Sequence, residues 1–199
     1  MRTKPYSQAC VNNRDPILAV IRELFKDTDI VLEIGSGTGQ HAVYFAAAMP
    51  WLKWQTSDLK MHHEGISAWI EDSGASNVLP PIQLDVDMPV WPVASAGGVF
   101  SANTAHIISW ESLKSFFRGA SRVLEKRAFL TLYGPFNYNN EYTSKSNREF
   151  DRWLKSKDPA SGIRNWEDIC RVAEFEKLTF VEDYEMPANN RLLVWTHAR

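Results

Sequence analysis

Two cysteines, Cys10 and Cys170, are all that the 199 residues contain. That is too few for a disulfide framework or a cysteine zinc site and is compatible with a reducing compartment. Uninterrupted apolar runs fall well short of the roughly 18 residues of a membrane span, and Met1 to Asp15 lacks the apolar stretch of a secretory leader. A cytoplasmic location and no membrane partner are therefore expected. Neither sign of charge dominates: 22 Lys and Arg against 24 Asp and Glu leave a net charge of −2. Without a broad electropositive field, an extended phosphate backbone is a poor partner, so no nucleic acid is expected and a small or neutral ligand fits better. Repeats, low-complexity tracts and Gly/Ser/Pro linkers are missing too, so residues 1–199 are expected to form a single domain. Aromatics are abundant, with eight Trp, available for a core or for the wall of a pocket.

Hydrophobic spacing alternates between the two regular periods. A helix is predicted over Pro16–Lys26, with Asp15 as N-cap and Pro16 in the first helical position. Ile30-Val31-Leu32-Glu33-Ile34 reads as a buried strand ending at Gly35. The alternation continues with helix Gln40–Met49, strand Lys53–Ser57, helix His62–Ser73, strand Ile82–Asp85 and strand Gly98–Ala102. A helix capped by Ser109 follows, then strand Phe129–Tyr133. Beyond Gly134 the chain is turn-rich. A helix is predicted to start at Ser146, whose partner Glu149 has capping-box spacing, and another spans Trp166–Phe175. Thr179–Glu185 and Arg191–Thr196 read as an antiparallel pair. This order specifies an α/β protein, a mostly parallel sheet covered on both faces that binds ligands outside the carboxyl ends of its strands. Gly35, Asp58, Asp85, Asn103 and Gly134 all lie at or just past such ends.

Gly35-Ser36-Gly37-Thr38-Gly39, between a strand and a helix, is the most informative stretch. Glycines there allow a tight turn and close ligand approach, and the following helix offers free N–H groups to an electron-rich ligand. The spacing is G-x-G-x-G with Gln40 next, not the dinucleotide fingerprint, and a phosphate-cradle motif is missing as well. An oxidoreductase on a related sheet is thereby disfavoured. Asp58, 19 residues beyond Gly39, can accept hydrogen bonds from both hydroxyls of a ribose, or else is a loop or cap residue. Asp85 can accept from an adenine amino group, or simply enter a turn.

Val31 to Gly39 resembles motif I of the class I S-adenosylmethionine-dependent methyltransferases, and Asp58 falls where their ribose-binding acid falls. More narrowly, the chain resembles the domain-of-unknown-function 938 family, the group containing methyltransferase-like protein 26. Matching stretches include Asn13-Arg14-Asp15-Pro16-Ile17-Leu18, Gly37-Thr38-Gly39-Gln40-His41-Ala42, Leu132-Tyr133-Gly134-Pro135, Gly162-Ile163-Arg164 and Met186-Pro187-Ala188-Asn189-Asn190. Ala105 and the sequence Ile108-Ser109-Trp110 depart from the family pattern. The resemblance implies a three-layer Rossmann-like sandwich, a seven-stranded sheet whose last strand is antiparallel, with S-adenosyl-L-methionine lying over Gly35 to Gly39. Expected cofactor contacts are Arg14, Glu33, Gly35, Ser36, Gly37, Thr38, Gly39, Gln40, His41, Asp58, Leu59, Asp85, Val86 and Asn103. The segment 1–28 is expected to pack over the cofactor side, where Arg14 either meets the methionine carboxylate or makes a surface ion pair.

Methyl transfer needs an acceptor aligned opposite the leaving sulfur, and a base only where that acceptor must lose a proton. His106 is the candidate base, or else a structural histidine bonded to a loop carbonyl; Tyr133 is its catalytic companion. His106, Tyr133, Asn189 and Asn190 are expected to face an unidentified small-molecule acceptor. His62 and His63 lack a third ligand at metal-site spacing, so no metal is expected. A non-catalytic S-adenosylmethionine-binding or interaction protein is the alternative.

Overall fold

Five residues of near-continuous apolar character, Ile30–Ile34, form β1 at the middle of the molecule, seen in a computed structural model that describes residues 4–197. The first three and last two residues of the expected 1–199 domain lie outside the described residues. Along the chain run α1 (Gln8–Leu24), β1, α2 (Gln40–Ala48), β2 (Lys53–Asp58), α3 (His63–Ser73), β3 (Val78–Gln83), β4 (Ala96–Ala102) and α4 (Trp110–Val123). There follow β5 (Leu124–Gly134), β6 (Phe136–Asn137), α5 (Lys145–Lys157), β7 (Arg164–Asn165), α6 (Trp166–Phe175), β8 (Leu178–Met186) and β9 (Asn190–His197). Seven strands make one sheet in the order β3-β2-β1-β4-β5-β9-β8, and β9 is antiparallel to both neighbours while the remaining pairs are parallel. The expected mostly parallel sheet with an antiparallel last strand is what the chain forms.

Strand alternation divides the core into two layers. On β1, Leu32 and Ile34 face a cluster with Phe116, Phe117, Ile169 and Trp195, under α4 and α6. Val31 faces the other way, into a cluster with Ile17, Ile21, Phe45 and Trp54, under α1 and α2. Close packing demands glycine where rings meet backbone: a Cβ on Gly98 of β4 would lie 2.7 Å from the Phe25 ring at the end of α1.

Several boundaries differ from the sequence reading, four of them for a physical reason that the structure makes plain. Helix α1 begins eight residues earlier than Pro16, so Asp15 is not its cap and Pro16 sits inside it. The N-cap Ser7 makes no side-chain cap bond; its N–H instead donates to Gln40 Oε1 at 2.5 Å, so a long-range bond sets the start, and the proline costs one ladder bond without ending the helix. Strand β3 begins at Val78 and contains Pro80 and Pro81, which an edge strand tolerates because one side of its backbone needs no partner. Asp85 therefore lies beyond the strand. Strand β5 begins at Leu124, and Arg127, in the left-handed region (φ 65°), lies where its register with β4 shifts between Leu124 and Phe129. Helix α5 is capped by Ser144, whose side chain accepts from Asn147 N–H at 3.0 Å, and not by Ser146.

Candidate functional site

The sheet order reverses between β1 and β4: the chain moves outward from β1 through β2 to β3, then crosses to β4 on the other flank. Such a switch point leaves a crevice outside the strand ends. Gly35, Gly37 and Gly39 there have φ of 73°, 56° and 88°, a region that costs any side chain. They are required for different reasons. A Cβ on Gly35 would stand 2.7 Å from Thr104 Oγ1 and one on Gly39 3.0 Å from Ile66 Cα, whereas one on Gly37 would meet nothing within 4 Å. The protein does not fill the space above Gly37. Ser57 O accepts both the Gly35 and Ser36 N–H groups, at 3.1 and 2.9 Å, and Ser57 N–H donates to Ser36 Oγ at 3.1 Å, so the loop is bolted to the end of β2.

From that same end Asp58 turns its carboxylate back over the loop. Oδ2 accepts Gly37 N–H and Oδ1 accepts Leu59 N–H, each at 2.7 Å. Each carboxylate oxygen has a further lone-pair site. His63 Nε2 lies 3.1 Å from Asp58 O and His62 Nε2 lies 3.9 Å from Oδ1.

Gly35, Ser36, Gly37, Thr38 and His41 line a cleft of about 420 Å³ together with Asp58, Leu59, Asp85, Val86 and Asn103. Sequence reasoning missed the rest of the lining: Ser7 and Cys10 from the N-terminal segment, His62, Ala102 and Thr104 on either side of Asn103, and the apolar side chains Ile34, Leu84, Ile107 and Ile108. The rule that ligands sit at strand ends would have found Leu84 and Ile107. Nothing local marks Ser7 or Cys10, because a tertiary contact brings them there. A larger surface cleft of about 720 Å³ lies between the 86–94 segment and α4, but the glycine loop and the histidines have no part in it, so the chemistry-bearing groups converge on the smaller one.

The other expected residues stand off the cleft wall. Glu33 is 2% exposed, faces the α2 side of the sheet and accepts from Trp54 Nε1 at 3.0 Å; burial, outweighing that bond, raises its carboxyl to about 7. Gly39 is the N-cap of α2, and Gln40 points to the N-terminal segment. Arg14 lies within α1 with its guanidinium 4.3 Å over the Tyr44 ring. Tyr133 is buried beside Asn13, whose Oδ1 is 2.7 Å from His41 Nε2. Asn189 and Asn190 sit at the exposed β8–β9 turn, where Asn189 O accepts from Asn147 Nδ2 at 3.2 Å.

Two histidines near the cleft are buried neutral bases. Desolvation lowers His41 to about 4, and the same cause, aided by the Arg164 charge, lowers His106 to about 4. The His106 ring packs edge-on against Phe150, with centroids 5.3 Å apart, while its carbonyl accepts Gly162 N–H at 2.9 Å. Arg164 pins the loop after β4 through Ala105 O and Ile108 O, at 3.1 and 2.5 Å. Burial raises the Tyr133 phenol, so it stays protonated at neutral pH.

The family model described as "Protein of unknown function (DUF938)" matches residues 4–197. The chain belongs to that family. Among solved structures, the DUF938 fold is similar to the apo S-adenosylmethionine-dependent methyltransferase SibL, at TM-score 0.81 and 20% identity over 96% of this chain and 56% of that one. It is similar to the mitomycin 7-O-methyltransferase MmcR, at TM-score 0.84 and 14% identity over 96% and 54%. A third is the O-methyltransferase NcsB1 of neocarzinostatin biosynthesis, solved with S-adenosylmethionine and 2-hydroxy-5-methyl naphthoic acid, at TM-score 0.79 and 13% identity over 95% and 54%. The DUF938 chain thus spans just over half the length of these proteins and shares their fold. Among the described residues, no helix is long and apolar enough to cross a membrane.

Proposed function

We propose that this protein is an S-adenosylmethionine-dependent methyltransferase acting on an unidentified small-molecule acceptor, within one domain whose N-terminal segment covers the cofactor side. The observation that carries the reading is the Gly37–Asp58 pair, which leaves free acceptor sites on the carboxylate directly beside the space above Gly37. The donor set fits an adenosyl group. Asp58 offers charge-assisted acceptance to a vicinal diol, the Asp85 carboxylate stands at the rim for an exocyclic amine, and Leu84, Val86, Ile107 and Ile108 supply apolar walls for a flat ring.

When bound, S-adenosyl-L-methionine supplies an activated methyl group on a sulfonium. In this reading the chain orients the reactants. Ser36, Thr38 and Asn103 would hold the polar end of the cofactor, while Glu33, Gly39 and Gln40 support the loop from outside the cleft lining. Arg14 acts through Tyr44 and not by direct contact. Tyr133 stays a phenol and donates a hydrogen bond. His106, neutral and buried, backs the acceptor side through the loop after β4, and with its basicity lowered it serves to position that loop and not to remove a proton. Asn189 and Asn190 border the acceptor side. Alignment is the main contribution such a site makes.

Micromolar binding of S-adenosylhomocysteine by calorimetry tests the cofactor site, and label transfer from methyl-labelled S-adenosylmethionine into metabolite extracts tests turnover. A folded sample that gives no heat removes the proposal. A binding-only protein is the second reading, favoured by the burial of His106 and Tyr133 behind the cleft wall; tight binding without label transfer into any extract is its signature.

A further inference from the structure

Gln40, directly after the glycine loop, is 7% exposed and is not part of the cleft lining. Oε1 accepts the Ser7 N–H at 2.5 Å and the Thr38 hydroxyl at 3.1 Å, while Nε2 donates to Ser7 O at 3.4 Å. The side chain therefore pairs with both polar groups of the Ser7 peptide as a neighbouring strand would, and at the same time grips Thr38, which lines the cleft.

The segment held this way reaches the cleft. Ser7 and Cys10 form part of its wall. On one side, Pro5 O accepts from Trp69 Nε1 at 2.7 Å, and the Pro5 ring lies against Gly65, where a Cβ would come within 2.6 Å of it. On the other, Asn13 is held by His41 at 2.7 Å. Residues 4–7 have no secondary structure of their own, so between the α3 anchor and α1 their position depends on the Gln40 pair. An unpaired Ser7 N–H in this half-buried place would be costly, which gives the pair two discrete states, made or broken.

We infer that residues 4–13 form a strap across the cofactor cleft and that Gln40 is the positioning residue that locks it to the glycine loop, so that ligand release requires the Gln40–Ser7 pair to open. This rests on the cofactor reading given above.

The test uses S-adenosylhomocysteine as probe, with dissociation followed by stopped-flow displacement and amide exchange of residues 4–13 measured with and without it. Gln40→Met keeps the volume and removes both bonds, and it is expected to speed dissociation at least tenfold with association changed less than threefold. Gly65→Ala, which pushes Pro5 from the far anchor, is expected to act in the same direction, and the double variant is expected to dissociate no faster than Gln40→Met alone. In the unaltered protein the ligand is expected to slow exchange of the strap. Should Gln40→Met not fold, Gly65→Ala and the exchange experiment decide. Unchanged dissociation in the folded variants, or strap exchange indifferent to the ligand, overturns the strap alone; an unaltered protein that binds no probe overturns the cofactor reading with it.

Discussion

The carboxylate of Asp58 accepts the backbone N–H of Gly37 across 21 residues of sequence at 2.7 Å, joining the end of β2 to the middle of the glycine loop. One group thus shapes the loop and offers charge to a ligand. Asp58→Ala removes the partner of two amides, Gly37 and Leu59, both exposed to water, so the cost is about 1 kcal/mol in stability. It is also expected to weaken S-adenosylhomocysteine binding at least tenfold, about 1.4 kcal/mol. Urea melts and calorimetry on the same sample separate the two effects. An affinity equal to that of the unaltered protein would remove Asp58 from the ribose role.

Gly35 and Gly37 share a left-handed φ and differ in surroundings, so their alanine variants are expected to diverge. Both incur roughly 1–2 kcal/mol of backbone strain. Gly35→Ala adds a clash with Thr104 Oγ1, which cannot retreat without disturbing its 3.0 Å bond to Ser101, and is expected to be the less stable of the two. Gly37→Ala, with open space above it, is expected to keep more stability while losing at least tenfold in ligand affinity. The reverse ranking in urea would show that Thr104 gives way, and an unchanged affinity in Gly37→Ala would show that the space is not the ligand's.

Glu33 carries a pH signature. Its folded carboxyl, at about 7, is raised above the ordinary value of 4.5, so the folded state holds a proton that the unfolded chain gives up earlier. That contribution is fully present below about 4.5 and is lost as pH rises through about 7. Glu33→Gln keeps an acceptor for Trp54 and has no proton to lose. Relative to the unaltered protein it is expected to gain stability between pH 5 and pH 8, by at most roughly 3 kcal/mol. A stability difference that stays flat with pH would show that Glu33 is ionised throughout.

The alternation of strands and helices, the closing antiparallel pair and the glycine-loop side of the cleft are legible because they rest on local signals: apolar period, glycines at a strand end, an acid at the next strand end; the order of strands within the sheet is not, because it depends on which strands become neighbours. Helix α6 begins and ends where the spacing of Trp166–Phe175 predicts. The failures share a cause. Asp15-Pro16 has the local marks of a helix start, but a bond from Ser7 to Gln40, 33 residues away, overrides them. Pro80-Pro81 looks like a strand breaker and is harmless only because β3 is an edge. Gln40 lies beside the loop in sequence and turns to Ser7 in space, and Arg14 lies over the Tyr44 ring with Asp15 Oδ1 3.9 Å from its Nε, which is the surface ion pair of its two readings and not the cofactor carboxylate. Such choices depend on which elements become neighbours, which no single window of sequence contains.

Histidine titration provides the last prediction. His41 and His106 are both lowered to about 4 by burial, against an ordinary value of 6.5. For a depressed histidine the folded state favours the neutral ring, so its contribution is complete above about 6.5 and is lost as pH falls toward 4. In ring-nitrogen NMR spectra both residues are expected to remain neutral at pH 6, where a free imidazole is mostly protonated. His106→Gln is expected to flatten part of the acid limb of the stability profile while leaving the alkaline side unchanged. A charged His106 at pH 6.5 would place it in a wetter setting than its contact with Phe150 allows, and would restore it as a proton acceptor where the present geometry makes it a positioning group.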